Sequence, residues 1–142
     1  DIRERVYPVG RLDKDSKGLL LLTNDGELHV RLTHPSYDHE KEYIVTAGNP
    51  IPNGALKAFR KGLNILGSKT RPSKVSRISG KRFKIVLKEG RNRQIRRMVR
   101  KLENQVVELK RIRVANIRLG KLPEGHWRHL TEIEKKHLLL IK

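Results

Sequence analysis

The chain of 142 residues contains no cysteine. That removes a disulfide scaffold, a thiolate-bound metal and cysteine catalysis together, and it suits an intracellular setting. Aromatic residues are scarce at 4%, which argues against binding a single strand through many stacked bases but leaves room for one or two placed rings. Long apolar runs are missing as well. The longest, over 18–22, is far shorter than the ~18 residues a membrane span requires, so no membrane partner is expected. Acidic residues are also few: fifteen Asp and Glu stand against thirty-three Lys and Arg, a formal net charge of +18. That excess makes a polyanion the leading partner, through counterion release and electrostatic steering. It says nothing about chemistry.

What is present reads as one α+β domain over 1–142. An apolar run bounded by glycine and "TNDG" predicts a buried strand over 18–23. A short helix over 27–32 follows, capped by Asn24 or Asp25. "KEYIVTAG" predicts a strand with Tyr43 and Val45 on one face and Ile44 and Thr46 on the other. A helix over 52–61 ends at Gly62, and strands are expected over 74–78 and 83–87. Ile95, Met98, Val99 and Leu102 then recur at helical spacing, one apolar stripe beneath Arg93, Arg96, Arg97, Arg100 and Lys101. Over 106–119 the chain is extended, and a change of apolar phase predicts a bend or bulge near Lys110 and Arg111. Thr131 and Glu134 have capping-box spacing and open a last helix. The softest boundary, over 48–52, is expected to separate two lobes.

Three groups of residues can carry function, each with a plainer alternative. The helix "RNRQIRRMVRK" offers guanidinium forks matched to phosphate oxygens, widened by Arg111, Arg113 and Arg118, or else it is a solvated charged face. Asp13 either bonds turn amides or is a nucleophile or base kept ionised by neighbouring arginines. Asp15 is the rival carboxylate, in a setting that looks like turn and cap chemistry. Tyr43 either packs in the sheet or covers one extruded base. The histidines form no metal-ligand spacing, and neither a P-loop nor a dinucleotide fingerprint occurs. From the residues alone, the chain is a basic mixed-fold nucleic-acid binder that carries an aspartate.

"GRLDKDSKGLLLLTNDG", "HEKEYIVT", "EGRNRQIRRM" and "GHWRHLT", in that order, strongly resemble the RsuA-type ribosomal RNA pseudouridine synthases. The likeness is closest to the branch that modifies large-subunit RNA. It implies a central mixed, mostly antiparallel sheet flanked by helices, with a catalytic cleft between two lobes. It also implies isomerisation of a uridine in ribosomal RNA by a bacterial, cytoplasmic enzyme, expected as a monomer without metal or small-molecule cofactor. Carried over by position, Asp13 is the essential aspartate, Tyr43 packs on the target uracil, and Arg96 pairs with Asp13. Arg11 holds the target strand or the space its base vacates. The full RNA-binding set expected is Arg11, Lys14, Lys41, Arg91, Arg93, Arg97, Arg100, Arg111 and Arg113. Two departures stand out. The S4-like RNA-binding module usual in the family is not seen ahead of Asp1, and "LENQ" replaces a glycine after the arginine helix, with Asn104 expected in the left-handed position. The alternative reading is a non-catalytic RNA-binding or ribosome-assembly protein. It leaves the conjunction of "GRLD" with "KEY" without a reason.

Overall fold

The computed structural model describes residues 2–34 and 39–140. The chain runs β1 (Tyr7–Val9), β2 (Lys17–Gly18), β3 (Leu21–Thr23), α1 (Gly26–Thr33), β4 (Lys41–Ala47), α2 (Asn53–Lys61), β5 (Asn64–Ile65) and β6 (Ser68–Lys69). It continues through β7 (Lys74–Arg77), β8 (Arg82–Leu87), α3 (Gln94–Lys101), β9 (Val106–Val114), β10 (Ile117–Arg118) and α4 (Glu132–Leu140). The central sheet has the order β10-β9-β4-β8-β7, all antiparallel, and β2 adds to β9 in parallel. The architecture is therefore α+β with a mixed, mostly antiparallel sheet.

Sequence chemistry accounts for the element ends. Asp25 caps α1 by accepting from the amides of Glu27 and Leu28. Thr131 and Glu134 form a reciprocal capping box on α4: the Glu134 amide donates to Thr131 Oγ1 at 3.1 Å and the Thr131 amide to Glu134 Oε1 at 2.9 Å. At the end of α3 the left-handed residue is Glu103 (φ 60), not Asn104. The Asn104 side chain is engaged elsewhere: its Oδ1 accepts from the Asn49 amide and its Nδ2 donates to the Asn49 carbonyl. That pair ties the chain between β4 and α2 to the end of α3.

Two apolar cores result. The larger packs α2 and α3 against β4, β7, β8 and the first half of β9, around Val45, Phe59, Phe83, Ile85 and Met98. The smaller joins β1, β3, α1 and α4 to Val114, Ala115 and Ile117. The segment 48–52 lies within the larger core, since Ile51 is part of it and the Gly48 amide donates to the Gln105 carbonyl. The division of the cores instead crosses β9, between Leu109 and Val114. That strand also carries the expected irregularity. Glu42 pairs with Arg113 but Tyr43 with Arg111, leaving Ile112 as the extra residue.

The four leucines differ from expectation. The run is broken between β2 and β3, so Leu19 and Leu21 are buried while Leu20 and Leu22 are exposed. All four line a cavity of about 700 Å³ with Leu122, Trp127 and Leu138 among its walls, and neither Asp13 nor Tyr43 belongs to that lining. The leucine run thus faces this cavity and the smaller core.

Candidate active site

Asp13 sits in a turn closed by the Ser16 amide donating to its carbonyl at 2.9 Å. The chain after the turn is laid against β9. Lys17 and Gly18 pair with Lys110 and Arg111, and the Leu19 amide donates to the Arg111 carbonyl at 2.8 Å. Gly18 is required here. Its φ is +113, and a Cβ would stand 2.2 Å from the Arg111 carbonyl oxygen and 2.6 Å from its nitrogen, inside any tolerable contact with backbone.

Arg111 then reaches back into the same turn. Its Nε donates to the Leu19 carbonyl at 2.9 Å and its Nη1 to the Arg11 carbonyl at 3.4 Å. The residue is 3% exposed. A buried guanidinium with carbonyl partners is a structural cation, so Arg111 is corrected from an expected RNA contact to an interior group. Tyr43 lies directly opposite it on β4. Burial, foremost, pushes the Tyr43 phenol above its usual range; Arg111 opposes this as a charge and a donor, and the Asp13 charge adds to it. The sheet and the turn thus bring Asp13, Tyr43 and Arg111 into one neighbourhood. Asp13 is half-buried, and among the described residues no side-chain hydrogen bond or ion pair ends on its carboxylate.

Arg96 was expected to pair with Asp13. Its ion pair is with Asp15 instead: Nε lies 3.4 Å from Oδ1 without hydrogen-bond alignment, and Nη2 donates to the Asp15 carbonyl at 2.9 Å and to Ser16 Oγ at 3.3 Å. Arg93 grips the same carboxylate with both Nη atoms, at 3.2 and 3.1 Å. The Arg93 hydrogen bonds hold the Asp15 carboxyl below its usual range against the opposing effect of desolvation, and its own backbone amide and the charges of Arg96 and Arg93 lower it further. Asp15 is therefore the clamp that carries the Asp13 turn onto the N-terminus of α3, a role turn chemistry alone did not convey. Arg93 itself takes a left-handed φ of 48 at the α3 cap, and its pKa is raised by the Asp15 hydrogen bonds foremost, then by the charges of Asp15 and Asp13.

The remaining expected RNA contacts divide by their partners. Arg113 is engaged with Glu42 and Glu40, each at 3.1 Å, and with the Ala115 carbonyl at 2.7 Å. Arg91 donates to the carbonyls of Ile65 and Ser68, holding the β5–β6 hairpin. These two side chains are corrected to internal ties, because acidic and carbonyl partners already occupy their forks. Arg97 folds back on Asn92, donating to its carbonyl at 2.9 Å and its Oδ1 at 2.8 Å. Arg11, Lys14 and Arg100 are exposed. Lys41, half-buried with its Nζ beside Gly90, has its pKa lowered by burial and then by Arg111. The signals for Arg111 and Asp15 were present in the sequence as the phase change on β9 and the second acid of "DKD". Neither revealed its partner.

No group of three His, Asp or Glu side chains able to hold a metal occurs among the described residues, and no helix among them is long and apolar enough to cross a membrane. An aspartate without an internal partner, an aromatic at its side and a basic rim define a site suited to a negatively charged substrate with a flat base.

Comparison with known proteins gives that site a class. Residues 1–101 match the family model described as RNA pseudouridylate synthase. The whole fold superposes on a crystal structure of a pseudouridylate synthase with a TM-score of 0.90 and 35% identity, covering 94% of this chain and 59% of that one. The chain belongs to the RNA pseudouridylate synthase family. Among its relatives, the dual-specificity RNA pseudouridine synthase RluF of Escherichia coli K12 is 44% identical over 131 residues, 92% of this chain and 45% of the relative. The ribosomal large subunit pseudouridine synthase B of Bacillus subtilis is 40% identical over 144 residues, 97% of this chain and 59% of the relative. The chain thus spans about half the length of these curated relatives.

Proposed function

We propose that this chain is the catalytic domain of an enzyme that converts a uridine of ribosomal RNA, of the large subunit, into pseudouridine, with Asp13 as the essential group. The observation that carries this reading is the half-buried Asp13 carboxylate, free of internal partners, beside Tyr43 and Arg111 in a member of this family. Large-subunit RNA is favoured by the relative named for that subunit.

The target base must leave its stack before Asp13 can reach it, at a cost of a few kcal/mol. Exposed cations beside the turn, Arg11 and Lys14, and Arg100 along α3 offset that cost through backbone contacts. The Tyr43 ring covers one face of the extruded uracil. Arg96 and Arg93, fixed by Asp15, supply positive potential beside the turn that presents Asp13. Asp13 then attacks ribose C1′, removes a ribose proton to give a glycal, or adds to C6 of the ring. Each route breaks the N1–C1′ bond, turns the uracil within the site and forms the C5–C1′ bond. C5 loses its proton and N1 gains one, so no external redox partner is consumed. The enzyme works as a cytoplasmic monomer without a small-molecule cofactor.

Asp13→Asn tests this directly. Incubated with large-subunit ribosomal RNA, the variant should form no pseudouridine while binding RNA within a few-fold of the parent. An active variant would remove Asp13 from the chemistry.

A further inference from the structure

The Asp13 turn is held by its two ends, and both ends converge on one residue. Before the turn, the Arg11 carbonyl accepts from Arg111 Nη1; after it, the Leu19 carbonyl accepts from Arg111 Nε. The main chain of Arg111 makes the complementary contact, taking the Leu19 amide on its carbonyl. Gly18 permits the approach, since any Cβ there would enter the Arg111 backbone. One side chain and one peptide therefore tie both ends of the turn to β9, while Asp15 ties its middle to α3.

The same residue adjoins the other half of the site. Arg111 Nη2 is buried and makes no aligned hydrogen bond among the described residues. Across the ladder stands Tyr43, whose phenol lies within the electrostatic reach of Arg111.

We infer that Arg111 is a positioning residue for the reaction, stapling both ends of the Asp13 turn beside Tyr43, so that it acts on rate and not on RNA affinity. The inference rests on the proposed role of Asp13. It assigns Arg111 no contact with substrate. Lysine cannot replace it, because a single ammonium has neither the span nor the planar fork to reach both carbonyls.

The test compares Arg111→Met and Arg111→Lys with the parent protein, on unmodified large-subunit ribosomal RNA transcript. Single-turnover pseudouridine formation should fall about 100-fold in R111M, the scale expected when a reacting group is misplaced by about an ångström. R111K should fall between the two. RNA affinity and its salt dependence should be unchanged in both. Amide hydrogen exchange should speed up at Ser16 and Leu19 while the amides of β4 and β8 keep their protection.

Several outcomes overturn the inference. One is a loss of affinity accompanied by a salt slope flatter by about one unit, the mark of a phosphate contact. Another is a slow enzyme with parental exchange at Ser16 and Leu19. A third is faster exchange in that turn with an undiminished rate. If R111M does not fold, R111K is judged by the same measures. Asp13→Asn, run alongside, separates the two claims. Turnover by that variant would sink the catalytic reading, and the exchange data would still decide whether Arg111 holds the turn.

Discussion

Gly18→Ala concentrates the structural claim in one methyl group. The new Cβ would lie 2.2, 2.6 and 2.9 Å from the oxygen, nitrogen and carbonyl carbon of Arg111. All three are backbone atoms of a central strand, so no flexible side chain can swing aside. If the turn stays, alanine must hold a φ of +113, a strain of about 1–3 kcal/mol, with overlap in addition. If it retreats, the Leu19 amide loses the Arg111 carbonyl, worth about 1 kcal/mol, and Arg111 Nε loses the Leu19 carbonyl, worth about 2 kcal/mol for a charged donor. Either route costs about 3 kcal/mol. For a chain of 142 residues that lowers Tm by about 10 °C. Retreat also displaces Asp13, and about 100-fold in single-turnover rate is expected from that. Thermal melts followed by circular dichroism, with pseudouridine counted in the RNA product, measure both effects. Gly67→Ala is the control: it shares a positive φ, +84, but a Cβ there meets nothing within 4 Å, so it should cost about 1 kcal/mol and leave the rate alone. A Gly18→Ala protein that melts and turns over like the parent would refute the close approach on which the site geometry depends.

The basic residues should separate into two behaviours. Arg100→Ala, at an exposed position, should weaken binding of many RNAs alike and flatten the salt slope by up to about one unit. Arg113→Met should leave that slope unchanged and instead destabilise the fold by about 3 kcal/mol, because Glu40 and Glu42 lose the cation both share. Urea titrations and salt-dependent binding isotherms distinguish the two. For α4, the hydrogen bonds from Arg128 and then the Thr131 amide bring Glu134 from 4.5 down to about 2. A folded pKa below the unfolded one gives stability that is complete above about pH 4.5 and disappears as pH falls through about 2. Since the Arg128 side chain is 39% exposed, solvent screening reduces the effect to about 1 kcal/mol. Glu134→Gln should show that deficit at pH 7 in chemical denaturation and converge with the parent near pH 2.

The elements legible in the sequence were those whose local chemistry matched their tertiary role. The stripe from Ile95 through Val99 is buried as its spacing requires, and the Asp25 and Thr131 caps act within three residues of themselves. Strands lost definition where their neighbours were distant. Four consecutive leucines carry no period, so nothing local told which two would face the core. That was decided by the parallel pairing of β2 with β9, a contact across about ninety residues. The same distance hid the site's inner structure. An arginine in a basic chain reads as surface charge, and Arg11, Arg100 and Arg111 are chemically identical on the page. Only the fold sorts them, by offering Arg111 two carbonyls and no water, and Arg113 two carboxylates. With Arg96 and Arg93 gathered onto Asp15, the chain keeps its positive charge close to Asp13 without neutralising it internally. An aspartate that must act on a substrate needs such surroundings: cations near enough to draw in an anionic strand, yet held by another acid so that its own oxygens stay free.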